Sequence, residues 1–222
     1  MVMTPHLRKF AITVHIVTSV GWLGAVVAYL ALAIVGLSSH DASVARACYH
    51  SMALIGPFVI IPFSLATLLT GFAEAVGTRW GVFQHWWVAA KLVLTAVATV
   101  ILLRHMPAVI SMAVVAADPS LSLDNFRAQR LQLILHAVGG VLVLLTTTVL
   151  SVYKPWGLTP FARRQDVERV QVPSRDLRSP VVTVSTAKAS APRWAFVVWV
   201  HVLGLGALFV VLHLAGGGLR AH

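Results

Sequence analysis

The chain has 222 residues, of which 58% are apolar and only 11% charged, with a formal net charge of +10. Soluble domains carry about 25% charged residues, so these few ionisable groups cannot cover a water-facing surface. The composition excludes a soluble globular enzyme, a disulfide scaffold and a disordered tail; Cys48, the one cysteine, has no partner for an intrachain disulfide.

Charges cut the chain into five long apolar segments. Phe10–His40 holds no Asp, Glu, Lys or Arg and predicts a first helix over about 10–37. Its run far exceeds the roughly 7–15 residues of a signal-peptide core, so it reads as a retained span. Ala47–Ala73 predicts a second over about 50–73, kinked at Pro57 and Pro62, because each proline removes a backbone bond. Trp80–Leu103, with Lys91 as its one charge, predicts a third over about 82–104. His105–Ala117 stays apolar around Pro107 and either extends that helix or lies at the interface. Leu131–Tyr153 predicts a fourth over about 131–153. Residues 156–193 turn basic and rich in Ser, Thr and Pro, as a linker does. Trp194–Leu219 then predicts a fifth helix.

About 20 apolar residues cross the ~30 Å of hydrocarbon, and in lipid each segment must satisfy its own backbone groups. The expected fold is therefore all-α. It comprises a four-helix up-and-down bundle over 1–155 and a fifth transmembrane helix over 194–219.

Five crossings put the termini on opposite sides. Arg8, Lys9, Arg79, Lys154, Arg163, Arg164, Arg169, Arg175, Arg178, Lys188 and Arg193 fall on the N-terminal side, against Arg46, Arg104, Arg127, Arg130 and Arg220 on the other. The positive-inside rule places the N-terminus and the linker in the cytoplasm of a bacterial plasma membrane, with the C-terminus outside. The net charge then reads as topology and attraction to anionic lipid of the bilayer. Basic residues without interleaved aromatics do not point to nucleic acid.

Ten histidines are the most informative residues. Following each helix through the membrane puts His15, His85 and His201 toward the cytoplasm, and His50, His105, His136 and His213 toward the outside. Two imidazole layers on antiparallel helices match what bis-histidine b-type haem requires. His15, Trp22 and Tyr29 recur every seven residues on one face, with Thr18 and Ser19 near enough to accept from the His15 ring. Gly139 and Gly140 follow His136 by one turn and leave room for a macrocycle or for close helix packing. His85 and His105, 20 residues apart on one helix, are separated by about 30 Å and point to nearly opposite faces. A neutral imidazole bonded to a neighbouring helix needs no metal, and this reading stands beside haem.

Copper is a second option, since imidazole and soft sulfur ligands suit it. Cys48, His50 and Met52 cluster in the second span, although positions i, i+2 and i+4 do not share one helical face. Lys91 is the one deep charge, with Glu74 a partner across the hairpin. It reads either as a snorkelled lysine or as a contact for an ion or a quinone head. No hydrolase, nucleotide-binding or protease motif occurs, and the Thr146-Thr-Thr run reads as packing or local backbone bonding.

Several motifs carry a resemblance: His15-x6-Trp22-x-Gly24, Gly77-Thr-Arg-Trp-Gly81, His85-Trp-Trp with Lys91, His136-x2-Gly-Gly and Lys154-Pro-Trp-Gly-Leu-Thr-Pro. Over residues 1 to about 160 the chain resembles a family of uncharacterised actinobacterial integral membrane proteins. It is similar, more distantly, to the copper-resistance D family and to b-type membrane cytochromes. The resemblance implies a haem or metal role for His15, His85, His105 and His136, with electrons passing to a quinone or another redox partner. The alternative expectation is an accessory subunit or small-solute permease with structural histidines.

Overall fold

The computed structural model describes residues 3–77, 85–154 and 159. The linker expected over 156–193, the fifth helix expected over 194–219 with His201 and His213, and the Thr78–Gly81 motif lie outside the described residues. Among the described residues the fold is helical, without a strand.

Helix α1 (Pro5–Ser38) begins at Thr4, whose hydroxyl accepts from the Leu7 amide, with Pro5 in the first turn, where its missing N–H costs nothing. Asp41 caps α2 (Ala42–Ile55) by accepting from the Ser43 amide at 2.8 Å. A π-helical turn, Gly56–Ile60, joins α2 to α3 (Ile61–Gly77). Helix α4 spans Trp86–Ala117, and a 3-10 turn at Leu123–Phe126 leads into α5 (Arg127–Tyr153).

Four spans, Pro5–Ser38, Ala42–Gly77, Trp86–Ala117 and Leu123–Tyr153, are each long and apolar enough to cross a membrane. α1 packs on α2, α3 and α5, and α4 packs on the same three helices. α1 and α4 therefore stand at opposite corners of a square. Trp22, Tyr29, Tyr49, Met52, Val109 and Leu133 fill the middle, while Phe10, Phe58, Leu69, Val114 and Val152 face outward with more than 60% of their surface exposed. Such a surface suits lipid and not water.

The span ends differ from the expected ones, and the charges explain why. The second span starts at Ala42 rather than near 50, because the half-buried Arg46 finds carbonyl partners within the bundle and does not end the helix. Its guanidinium turns onto the end of α4, donating to the carbonyls of Ala116 at 2.8 Å, Asp118 at 2.7 Å and Leu121 at 2.8 Å. The third span runs on past Arg104 and through Pro107 to Ala117, so His105–Ala117 is an extension of the helix. Arg104 sits on the exposed face, where it interrupts nothing.

The fourth span begins with Arg127, and Arg130 is 5% exposed. Arg130 donates to the carbonyls of Gly36 at 2.6 Å and Leu37 at 3.1 Å and to the Tyr49 hydroxyl at 2.8 Å. Both arginines satisfy the orphan carbonyls at a helix C-terminus, where the dipole also favours a cation.

At Pro57 the chain answers the missing N–H with the π turn, whose Ile61 amide donates to the Gly56 carbonyl. Gly56 lies so close to α4 that an added Cβ would come within 2.9 Å of the Met106 sulfur.

Candidate functional site

Side chains from α1, α3, α4 and α5 enclose a cavity of about 260 Å³ at the end of the bundle where α1 begins and α5 finishes. Helical periodicity builds each wall. Arg8, His15, Ser19 and Trp22 come from α1; Thr67, Gly71 and Glu74 from α3; Trp87, Lys91 and Thr95 from α4; Thr147, Thr148 and Ser151 from α5. Recurrence at three and four residues puts each set on one face.

His15 Nδ1 lies 3.0 Å from the Thr70 hydroxyl oxygen. The Thr70 proton goes to the Ala66 carbonyl at 2.6 Å, so Thr70 accepts, and His15 carries its proton on Nδ1 with Nε2 as an acceptor. Thr18 and Ser19, the partners expected for this ring, donate instead to the Val14 and His15 carbonyls. Gly71 allows the ring to sit where it does, since a Cβ there would come within 3.0 Å of His15 Cε1.

The other hydroxyls are spent in the same manner. Thr147 and Thr148 both donate to the Leu144 carbonyl at 2.9 Å, and Ser151 to the Thr147 carbonyl at 2.9 Å. Thr67 donates to Thr18 Oγ1 at 3.1 Å. Each of these hydroxyls uses its proton within the helices and offers lone pairs beyond it. Ser/Thr back-bonding of this kind is common within helices. Of the wall's charged groups, Lys91 and Arg8 bring N–H donors and Glu74 brings acceptor oxygens.

Lys91 and Glu74 meet at this cavity without pairing: among the described residues the one ion pair is Arg130–Asp124, at 3.5 Å. Lys91 Nζ stands 5.7 Å from the Trp87 ring centre, within cation–π range. Glu74 Oε1 is buried and has no hydrogen-bond partner among the described residues.

A second, smaller chamber of about 50 Å³ lies deeper, lined by Tyr29, Ile60, Met106, Gly140 and two imidazoles, His105 and His136. Trp22 and Leu144 line both chambers and form the partition. His105 and His136 stack face to face, ring centres 3.9 Å apart and planes 5° from parallel. His136 Nδ1 donates to the Gln132 carbonyl at 2.9 Å, and the Tyr29 hydroxyl is buried without a hydrogen-bond partner among the described residues.

This geometry does not fit the expected haem ligands. Axial imidazoles point their ring nitrogens at an iron between them, whereas parallel rings with centres 3.9 Å apart leave no gap between them for a macrocycle. The chamber beside them is far smaller than a haem. Of the four expected ligands, His105 and His136 come together in this chamber. His15 belongs to the larger cavity, and His85 precedes α4, its ring centre 6.2 Å from that of Trp87.

The copper cluster is split as well: Cys48 and Met52 are buried, while His50 is exposed on another face of α2. Among the described residues no three His, Cys, Asp or Glu side chains converge on a metal position.

Several contributors carry no distinguishing signal in the sequence. Thr67, Thr70 and Ser151 look like ordinary membrane-helix residues, and Arg46 and Arg130 look like loop charges. No family model, no curated protein and no solved structure matches this chain.

Proposed function

We propose that this protein is a bundle of the bacterial plasma membrane that takes up a small molecule carrying an anionic group in the larger chamber, whose mouth faces the cytoplasm. This is the small-solute side of the alternatives the sequence leaves open. One observation carries it: Lys91 lies within a span, at the wall of a 260 Å³ cavity, without an ion-pair partner among the described residues. An ammonium in a membrane span is costly, and such residues mark substrate or ion pathways. Arg8 at the same wall adds a second cation against the single carboxylate of Glu74. The excess of positive charge favours a phosphate or carboxylate. The histidine stack, with its ring faces engaged, stays structural in this reading.

Dodecylphosphate, titrated into the protein in dodecylmaltoside, tests the reading. It is expected to raise the melting temperature and to lose at least tenfold in affinity in Lys91→Met. No binding, or equal binding by Lys91→Met, would refute it.

A further inference from the structure

The inventory of donors and acceptors in the chamber says more than its net charge. Thr147, Thr148, Ser151 and Ser19 turn their protons onto carbonyls of their own helices, and Thr67 donates across to the Thr18 hydroxyl. His15 spends its Nδ1 proton on Thr70. Apart from the indole N–H groups of Trp22 and Trp87 and the Thr95 hydroxyl, the wall is therefore rich in lone pairs. Glu74 Oε1, buried with no hydrogen-bond partner among the described residues, adds a carboxylate oxygen to that surplus. A buried acceptor left unmet is expensive, and an anionic group alone would worsen the mismatch. Lys91 and Arg8 satisfy such an anion, and nothing on it satisfies Glu74. A quinone head fails for the same reason, because its carbonyls bring no N–H donor.

We propose that the chamber's ligand is a zwitterion: Lys91 and Arg8 receive its anionic group, while Glu74 and the surrounding lone pairs receive its ammonium. This deepens the reading above and rests on it. A lipid head such as phosphoethanolamine and a free amino-phosphate share this chemistry. An ammonium with three N–H donors suits the wall better than a quaternary one with none.

Four probes in dodecylmaltoside, which carries no charge, separate the possibilities. Dodecylphosphoethanolamine is expected to bind at least tenfold more tightly than dodecylphosphate, with dodecylphosphocholine between them. Glu74→Gln is expected to bring the affinities for dodecylphosphoethanolamine and dodecylphosphate within about threefold of each other. Free phosphoethanolamine is the fourth probe. Tight binding of it supports a soluble zwitterion, and binding of the chain-bearing form alone supports a lipid head.

Dodecylphosphate binding as tightly as dodecylphosphoethanolamine would overturn the zwitterion and leave the anion site standing. A preference that survives Glu74→Gln would overturn it too. If dodecylphosphate does not bind at all, the anion site falls as well.

Discussion

Arg130 donates from Nε to the hydroxyl of Tyr49 at 2.8 Å, and with the same guanidinium holds the last carbonyls of α1. One side chain thus joins α5, α2 and α1 at the end of the bundle opposite the polar chamber. Arg130→Met removes every donor at once and leaves the tyrosine and the carbonyls of Gly36, Leu37 and Leu123 without the guanidinium. Each unsatisfied buried group costs about 1–3 kcal/mol, so the melting temperature in detergent is expected to fall sharply. Arg130→Lys should recover part of the loss, since an ammonium cannot reproduce the planar fork. Tyr49→Phe leaves the buried Arg130 Nε donor unmet and should cost about 1–3 kcal/mol. An Arg130→Met protein that melts like the wild type would show that this junction contributes nothing.

The Gly71–His15 approach gives a second expectation. A Cβ at Gly71 would stand 3.0 Å from the ring, so Gly71→Ala should shift it by a few tenths of an ångström, and Gly71→Val should displace it from Thr70. Ring ¹⁵N shifts report the outcome. The wild type should show the Nδ1–H tautomer, and Gly71→Val a mixture of tautomers. An unchanged spectrum in Gly71→Val would contradict the geometry.

At the opposite end, the Ser43 hydroxyl and then its amide hold the Asp41 carboxyl below the usual carboxylate range. A depressed folded-state pKa stabilises above the unfolded value, near 3.9, and the contribution disappears as pH falls through the lowered value. The start of α2 should therefore hold from neutral pH to about 4 and fray below it, as seen in the Ser43 amide resonance. Ser43→Ala should return the Asp41 titration toward its ordinary position. Early fraying well above pH 4 would count against this cap.

Stacked imidazoles also predict a spectrum. Haem-supplemented expression should give purified protein without a Soret band that moves on dithionite reduction. A band present in the wild type and lost in His136→Ala would reinstate axial ligation and require the stack to open.

Much of the fold is legible in the sequence because the length of an uncharged run is a property of composition alone. The first four spans follow from it. Their ends do not, because a charge marks the edge of a span only when it faces water, and Arg46 and Arg130 turn inward to helix carbonyls. His15, Glu74 and Lys91 each stand out by residue type, yet their convergence depends on how α1, α3 and α4 pack. The layer that unites His105 and His136 can be counted along antiparallel helices. Whether the rings stack or oppose their nitrogens is set by side-chain torsions, which no spacing encodes. The chamber's hydroxyls give no warning, since serine and threonine bond to their own helix in most membrane spans.

The π turn at Gly56–Ile60 acts as a phase shift of one residue in the second span. Beyond it, Thr67, Gly71 and Glu74 meet the chamber, while Leu69, Phe72 and Val76 stay more than half exposed on the outer side. Excising one residue from 56–60 would restore ordinary pitch and turn the following four helical turns by about 100°. The Glu74 carboxylate would then swing toward the acyl chains and Leu69 inward, so a deletion fourteen or more residues before Glu74 would strip the pocket of the one carboxylate among its described lining residues.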